Sequence, residues 1–275
     1  MPRARTTATV VTLIAVLASA CSSGSTKSDS PPKADAQLLT ILVTNDDGYA
    51  APGIAVVAAA LAKLPHTKVV VVAPAENKSG TGGSTTPGTL TATKHQTANG
   101  LPATAVNGFP ADAVRYAYET LHVKPDVVVS GINAGQNLGP ITDVSGTVGA
   151  AKAAATRGTP AIAASQGTGE RYQYAVGARL VVRWVTARRA QLASGAATVG
   201  VVNLNIPSCP GGLLRGIKQV PLATTTDGAV APSDCSSTVT DVADDIAAFH
   251  NAFASVTQLD AAGETVTAST TFPAR

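Results

Sequence analysis

Leu38-Leu39-Thr40-Ile41-Leu42-Val43 runs directly into Thr44-Asn45-Asp46-Asp47-Gly48. The first six residues are an almost unbroken apolar run, the pattern of a strand buried on both faces, as in a parallel sheet under helices. The polar turn that ends it carries two adjacent carboxylates. The same sequence of events then repeats downstream. Gly53 to Leu64 has apolar residues at helical spacing and stops at Pro65. Val69 to Val72 is a second apolar strand, followed by a loop from Glu76 to Gly88 dense in Gly, Ser and Thr. Thr89 to Lys94 and Ala103 to Val106 are expected to pair as a hairpin about Asn99-Gly100. Ala111 to Leu121 is the next helix, with Val114, Tyr118 and Leu121 on one stripe, and Val127 to Val129 is a third strand.

Beyond it, Thr147 to Arg157 is an Ala-rich helix ended by Gly158, Ala161 to Ala164 a short strand, Arg171 to Leu192 a long helix with the only Trp, and Val199 to Leu204 another strand. Strand-like stretches recur near Ala252 to Leu259 and Thr265 to Thr271. Strands alternating with helices give a three-layer α/β/α, Rossmann-like fold with a mostly parallel sheet and a short irregular or β C-terminal extension. In open sheets of this kind ligands bind at the carboxyl ends of the strands. The polar clusters fall there: Asp46 and Asp47 after the first strand, Ser79 and its glycines after the second, Asn133 after the third.

Composition limits the possible partners. The 275 residues are 45% hydrophobic and 13% charged, enough apolar material for one sizeable core. The net charge of +3 falls to +1 without Arg3 and Arg5, and no Lys/Arg run stands out. That argues against polymeric nucleic acid as a partner. Residues 1–20 read as an export signal: Arg3 and Arg5, then the apolar stretch Val10 to Ala20, too short to span a bilayer. Leu17-Ala18-Ser19-Ala20-Cys21 fits a lipoprotein signal in which Cys21 is acylated, against the plainer reading of a cleaved signal with Cys21 a bystander. Residues 21–37 then form a flexible tether, rich in Ser, Gly and Pro, and 38–275 the folded domain. The expected location is extracytoplasmic, anchored by lipid to the bacterial cell membrane. In such a compartment Cys209 and Cys235 are expected to pair rather than stay separate buried thiols, stabilising the fold by roughly 3 kcal/mol. Neither has metal-ligand neighbours, which argues against zinc.

Each polar cluster taken alone has an ordinary structural explanation. Asn45-Asp46-Asp47-Gly48 is a plausible solvated turn, although two adjacent carboxylates at a strand end repel unless a cation or strong donors neutralise them. With no His or Cys beside them, the natural cation is one Mg²⁺ or Mn²⁺. Ser79-Gly80-Thr81-Gly82-Gly83-Ser84 can present N–H groups to an anion but is neither a Walker A loop nor GxGxxG, and reads equally as a mobile surface loop. Asn133 suits a turn, and Ser145 caps the helix that follows it; the same helix start could hold a phosphate. His66, His95, His122 and His250 lack ligand spacing and read most simply as surface or packed residues. The absence of a Gly-x-Ser-x-Gly elbow weighs against an α/β-hydrolase.

In order along the chain, Ile41 to Ile54 (ILVTNDDGYAAPGI), Val71 to Gly80 (VVAPAENKSG), Asn107 to Val114 (NGFPADAV), Pro125 to Gly139 (PDVVVSGINAGQNLG) and Val144 to Val148 (VSGTV) resemble five signature blocks of the SurE family. The likeness runs from about residue 39 to 206. It implies a nucleotidase acting on nucleoside 5′- and 3′-monophosphates with one divalent metal ion. Carried over by position, it implies Asp46, Asp47, Ser79 and Asn133 as metal ligands. Gly80, Asn137, Ser145, Gly146 and Thr147 would lie near the phosphate. Asp46 and Asp47 are the catalytic candidates, one carboxylate, Asp46 before Asp47, being expected to take the proton of the attacking water. No residue for protonating the leaving group is identified. After Ile206, where relatives carry an oligomerising tail, the match is poor, so a homodimer is considered without a motif for it. A binder of nucleotides or other solutes without turnover, and a scavenger of phosphomonoesters at large, are the competing readings.

Overall fold

The computed structural model describes residues 1, 2, 4, 37–169, 171–267 and 271–273. Apart from residues 1, 2 and 4, the expected leader lies outside them, as do Cys21 and the tether through Ala36. Gln37 to Arg275 forms one compact unit. Among the described residues no helix is long and apolar enough to cross a membrane.

The apolar runs form strands β1 (Leu39–Thr44), β2 (Thr67–Pro74), β5 (Val127–Ala134), β6 (Ala161–Gln166) and β7 (Val201–Ile206). They are joined by the hairpin β3 (Ala92–Gln96) and β4 (Pro102–Val106), and by β8 (Gly216–Gln219) and β9 (Phe253–Leu259). The described residues make a single nine-stranded sheet ordered β3-β4-β2-β1-β5-β6-β7-β9-β8. From β4 through β7 neighbours are parallel, with Val43 opposite Val71 on one side and Val129 on the other. β3 and β9 run antiparallel to β4 and β7, and β8 parallel to β9. The fold is thus the α/β sandwich with a mostly parallel sheet that the alternation of elements implies.

Helices cover both faces. Alternate residues of a strand point to opposite sides, so Leu39, Ile41 and Val43 pack under α1 (Pro52–Ala62) and α4 (Tyr174–Ala193), against Ile54, Leu61, Val181 and Trp184. Leu42, Val72 and Val128 face the other way, toward α2 (Pro110–Glu119) and α3 (Gly146–Ala155), where Val114, Ala150 and Ala154 meet them. Pro52 and Pro110 open their helices at positions where no intrahelical N–H is required. Ser145 Oγ caps α3 by accepting the Val148 N–H at 3.1 Å.

The chain after β7 holds more order than its sequence announces. β8 and the short helix α5 (Asp245–His250) are both formed there. Asp245 is fully buried and accepts the N–H groups of Gly139 at 2.9 Å and Ala223 at 2.8 Å, tying this region back to the turn Gly139–Asp143. In contrast, the strand expected over Thr265 to Thr271 is reduced to one bridge, Thr265 to Leu259, with Ala268–Thr270 outside the described residues. Cys209 and Cys235 form a disulfide that closes a 26-residue span containing β8. A loop of that size is expected to stabilise the fold by about 3–4 kcal/mol. The Cys209→Ala/Cys235→Ala double variant should therefore unfold at a clearly lower urea concentration. An unchanged midpoint would show that the loop is ordered without its staple.

Candidate active site

The sheet has a switch point. From β1 the chain moves outward through β2 to β4, then returns to the opposite side of β1 to lay down β5, β6 and β7. The connections leaving the carboxyl ends of β1 and β5 therefore diverge, and a crevice opens between those ends. Asp46 and Asp47 follow β1 directly, while Asn133 is the penultimate residue of β5, reached through a register shift against β6 between Gly131 and Asn133. Asn133 is thus a strand residue rather than part of a following turn.

Asp46 is 2% exposed. Its Oδ1 accepts the Thr147 hydroxyl at 2.6 Å, and a Cβ on Gly146 would lie only 2.8 Å from the Asp46 Cβ. The carboxylate is consequently pressed against the first turn of α3, where free N–H groups and the helix dipole favour negative charge. Asp47 is half-buried. Its Oδ2 accepts the Ala134 N–H at 3.1 Å, and its Oδ1 accepts Asn77 Nδ2 at 3.4 Å. Asn77 Oδ1 in turn accepts the Ser79 N–H at 2.9 Å, while the Lys78 N–H donates to the Asp46 carbonyl at 2.7 Å. Hydrogen bonds thereby link the loop after β1, the loop after β2 and the end of β5.

Ser79 and Gly80 are exposed at the rim of this arrangement. The glycine loop lies flat on α3: Gly82 donates to the Val144 carbonyl at 2.9 Å, and a Cβ on Gly149 would fall 2.1 Å from the Gly82 oxygen. Loop and helix start form one cradle of backbone donors. Asn137 sits deeper. Its Nδ2 donates to Ser165 Oγ at 2.8 Å, its N–H to Asn205 Oδ1 at 2.7 Å, and its carbonyl accepts from Asn203 and Asn205. In this structure those contacts make it a buried brace for the loop after β5.

Electrostatics favour a cation at the crevice. Burial raises the Asp46 pKa, opposed by the Thr147 hydrogen bond. Burial, and then the charge of Asp46, push Asp47 up to about 6. Next to them Asn133 Oδ1 is buried without a hydrogen-bond partner, its Nδ2 donating to the Gly135 carbonyl at 2.8 Å. An orphaned amide oxygen beside two carboxylates that resist ionising together is a donor set suited to a hard divalent ion. Among the described residues no group of three or more His, Cys, Asp or Glu is placed so that it could hold a metal ion by itself. A site built here would have to combine the two carboxylates with neutral oxygens.

Three supporting residues are not singled out by the sequence, although Asp112 lies within the block Asn107 to Val114. Asp112, fully buried, accepts the N–H groups of Thr86 (2.9 Å) and Phe109 (3.0 Å) and an Arg115 Nη2 donor (3.1 Å), which pins the far end of the glycine loop to α2. Asp245 holds the turn Gly139–Asp143, as above. Tyr174, at the start of α4, has its hydroxyl pKa pushed up to about 12 by burial and then by the charges of Asp47 and Tyr172. Of the four histidines, His66, His95 and His122 are exposed, His95 lying against the Tyr49 ring with centroids 4.6 Å apart, and His250 pairs with the Gly228 carbonyl at 2.7 Å.

The α1 end of the site depends on one close approach. A Cβ on Gly53 would meet the Ile132 oxygen at 1.9 Å. Helix propensity alone favours Ala at this position by about 1 kcal/mol. Overpacking against backbone should outweigh that, leaving Gly53→Ala less stable by about 1–3 kcal/mol in thermal or urea unfolding. A stabilised variant would contradict the packing described.

The family described as "Survival protein SurE" matches residues 41–228. A protein named 5′-nucleotidase SurE from Desulfatibacillum aliphaticivorans is 41% identical over 181 residues, 65% of this chain and 69% of the relative. One of the same name from Methanopyrus kandleri is 38% identical over 198 residues, 68% and 73% of the two chains. The crystal structure of a SurE protein from Aquifex aeolicus superposes with a TM-score of 0.65 at 31% identity, covering 81% of this chain and 93% of that one. The match runs from the first strand through the whole crevice to Gly228 within a shared fold, and the chain therefore belongs to the SurE family.

Proposed function

We propose that this chain is a metal-dependent phosphomonoesterase that hydrolyses nucleoside 5′- and 3′-monophosphates to nucleoside and phosphate. Its relatives' name, 5′-nucleotidase, supports the substrate class and reaction. The observation that carries the mechanism is the Asp46–Asp47 pair at the switch point, the first carboxylate buried and the second half-buried, with the unpartnered Asn133 Oδ1 on the adjoining end of β5. Asp46, Asp47, Asn133 and, from the loop after β2, Ser79 would hold one Mg²⁺ or Mn²⁺. Bound there, the ion would supply Lewis-acid charge to a phosphoryl oxygen and a nucleophile at neutral pH.

The protein's own groups account for the remaining needs. N–H groups of the Gly80 loop and of the α3 start, at Ser145, Gly146 and Thr147, face the growing negative charge on phosphorus. They are held in place beforehand, by the Gly82–Val144 hydrogen bond and by Asp112. Thr147 fixes one oxygen of Asp46, leaving the other to accept a proton from the attacking water. Asn137 keeps the loop after β5 in register with β6 and β7.

The proposal includes export and membrane anchoring through Cys21. It is supported by the leader-like start of the sequence and by a disulfide of the kind that oxidising compartments permit. A homodimer is not part of this reading.

Phosphate release from 5′-AMP tests the mechanism. With Mn²⁺ the chain should turn over; chelator should abolish release, and Asp46→Ala should lower it roughly a thousandfold. Equal rates in all three conditions would refute the metal mechanism, and saturable binding of AMP without product would identify a binder. Asn133→Ala, which removes one neutral donor, should raise the Mn²⁺ concentration for half-maximal activity by roughly tenfold or more.

A further inference from the structure

Tyr172 and Tyr174 lie on the stretch that leads into α4. Gln173 between them has a backbone that is neither helical nor extended (φ −100°, ψ 53°). The two rings are stacked, with centroids 5.4 Å apart and an interplanar angle of 13°. Gln173 Nε2 donates to the Cys209 carbonyl. That bond fastens the pair to the disulfide-bearing segment and limits its freedom.

The inner ring borders the catalytic crevice. A Cβ on Gly53 would lie 3.2 Å from Tyr174 Cε1 and 1.9 Å from the oxygen of Ile132, the residue preceding Asn133. The charge of Asp47 is felt at the Tyr174 hydroxyl. The outer ring, Tyr172, is 42% exposed. The result is an aromatic slab with its inner end at the Gly53–Ile132 contact, one residue before Asn133, and its outer end in solvent.

The cradle for phosphate is entirely polar backbone and says nothing about what the phosphate is attached to. A nucleoside monophosphate carries a flat aromatic base one sugar away from its phosphorus, and such a base gains by stacking on a ring already held in place. We propose that Tyr172, braced from behind by Tyr174, is the residue on which the nucleobase stacks, and that it sets this chain's preference for nucleotides over base-free phosphomonoesters. The inference rests on the nucleotidase reading and adds to it a specificity-determining residue. Because every base has a π-face, the platform selects for the presence of a base more than for its identity.

The test compares 5′-AMP with ribose 5-phosphate, which keeps the sugar and phosphate but lacks the base. In Tyr172→Ala, kcat/KM for AMP should fall about tenfold, chiefly through KM, with ribose 5-phosphate changed less than twofold. Tyr172→Phe should retain the natural value for AMP, since the ring and not the hydroxyl is used. An unchanged AMP value in Tyr172→Ala would overturn the inference, as would equal losses on both substrates, which mark a structural role, or a Phe variant as impaired as Ala. All three results leave the nucleotidase reading standing; a natural chain that hydrolyses ribose 5-phosphate but not AMP would instead defeat that reading itself.

Discussion

Everything at the crevice depends on keeping the Asp46 carboxylate out of water. A buried carboxylate is expensive unless its oxygens are satisfied, and here the Thr147 hydroxyl and the first turn of α3 supply donors. That arrangement requires a helix start pressed against the end of β1, which in turn requires Gly146, since any side chain there would strike Asp46. Asp47, one residue on, faces the β5 side through the Ala134 N–H. Two adjacent residues thereby join the two halves of the sheet at the place where its winding reverses. Their mutual repulsion is what gives the crevice its appetite for a cation.

Much of this could be read from the sequence, because it depends on local pattern. Val/Ile/Leu runs mark β1, β2 and β5, shorter apolar stretches mark β6 and β7, and polar residues at the carboxyl ends of the first three point to one rim once a parallel sheet is granted. The hairpin of β3 and β4 follows from its turn residues. Five ordered blocks then resolve what each motif alone left open.

What escaped was fixed by contacts remote in sequence. Asp112, within the block Asn107 to Val114, and Asp245, in no motif, are both fully buried and accept backbone N–H groups 26 and 106 residues away. The start of α4 moves from Arg171 to Tyr174, since Gln173 is held by Cys209 in a non-helical conformation. Asn133 remains in its strand because β6 continues to pair with it past the register shift. After Ile206 the signals are short and polar. β8 and α5 arise from edge pairing with β9 and from the Asp244 side chain accepting the Ala247 N–H at 2.8 Å, neither of which periodicity reveals.

The contact between Gly82 and Gly149 also constrains how this scaffold could be altered. Loop and helix touch backbone to backbone, so neither surface has a side chain that could be trimmed to make room for a change in the other. The two segments behave as a single inherited part. Anyone grafting the loop onto another α/β protein, or reshaping it to admit a bulkier ester, would have to transfer the helix start with it, and the place left for variation is the tyrosine-bearing approach on the opposite side of the crevice.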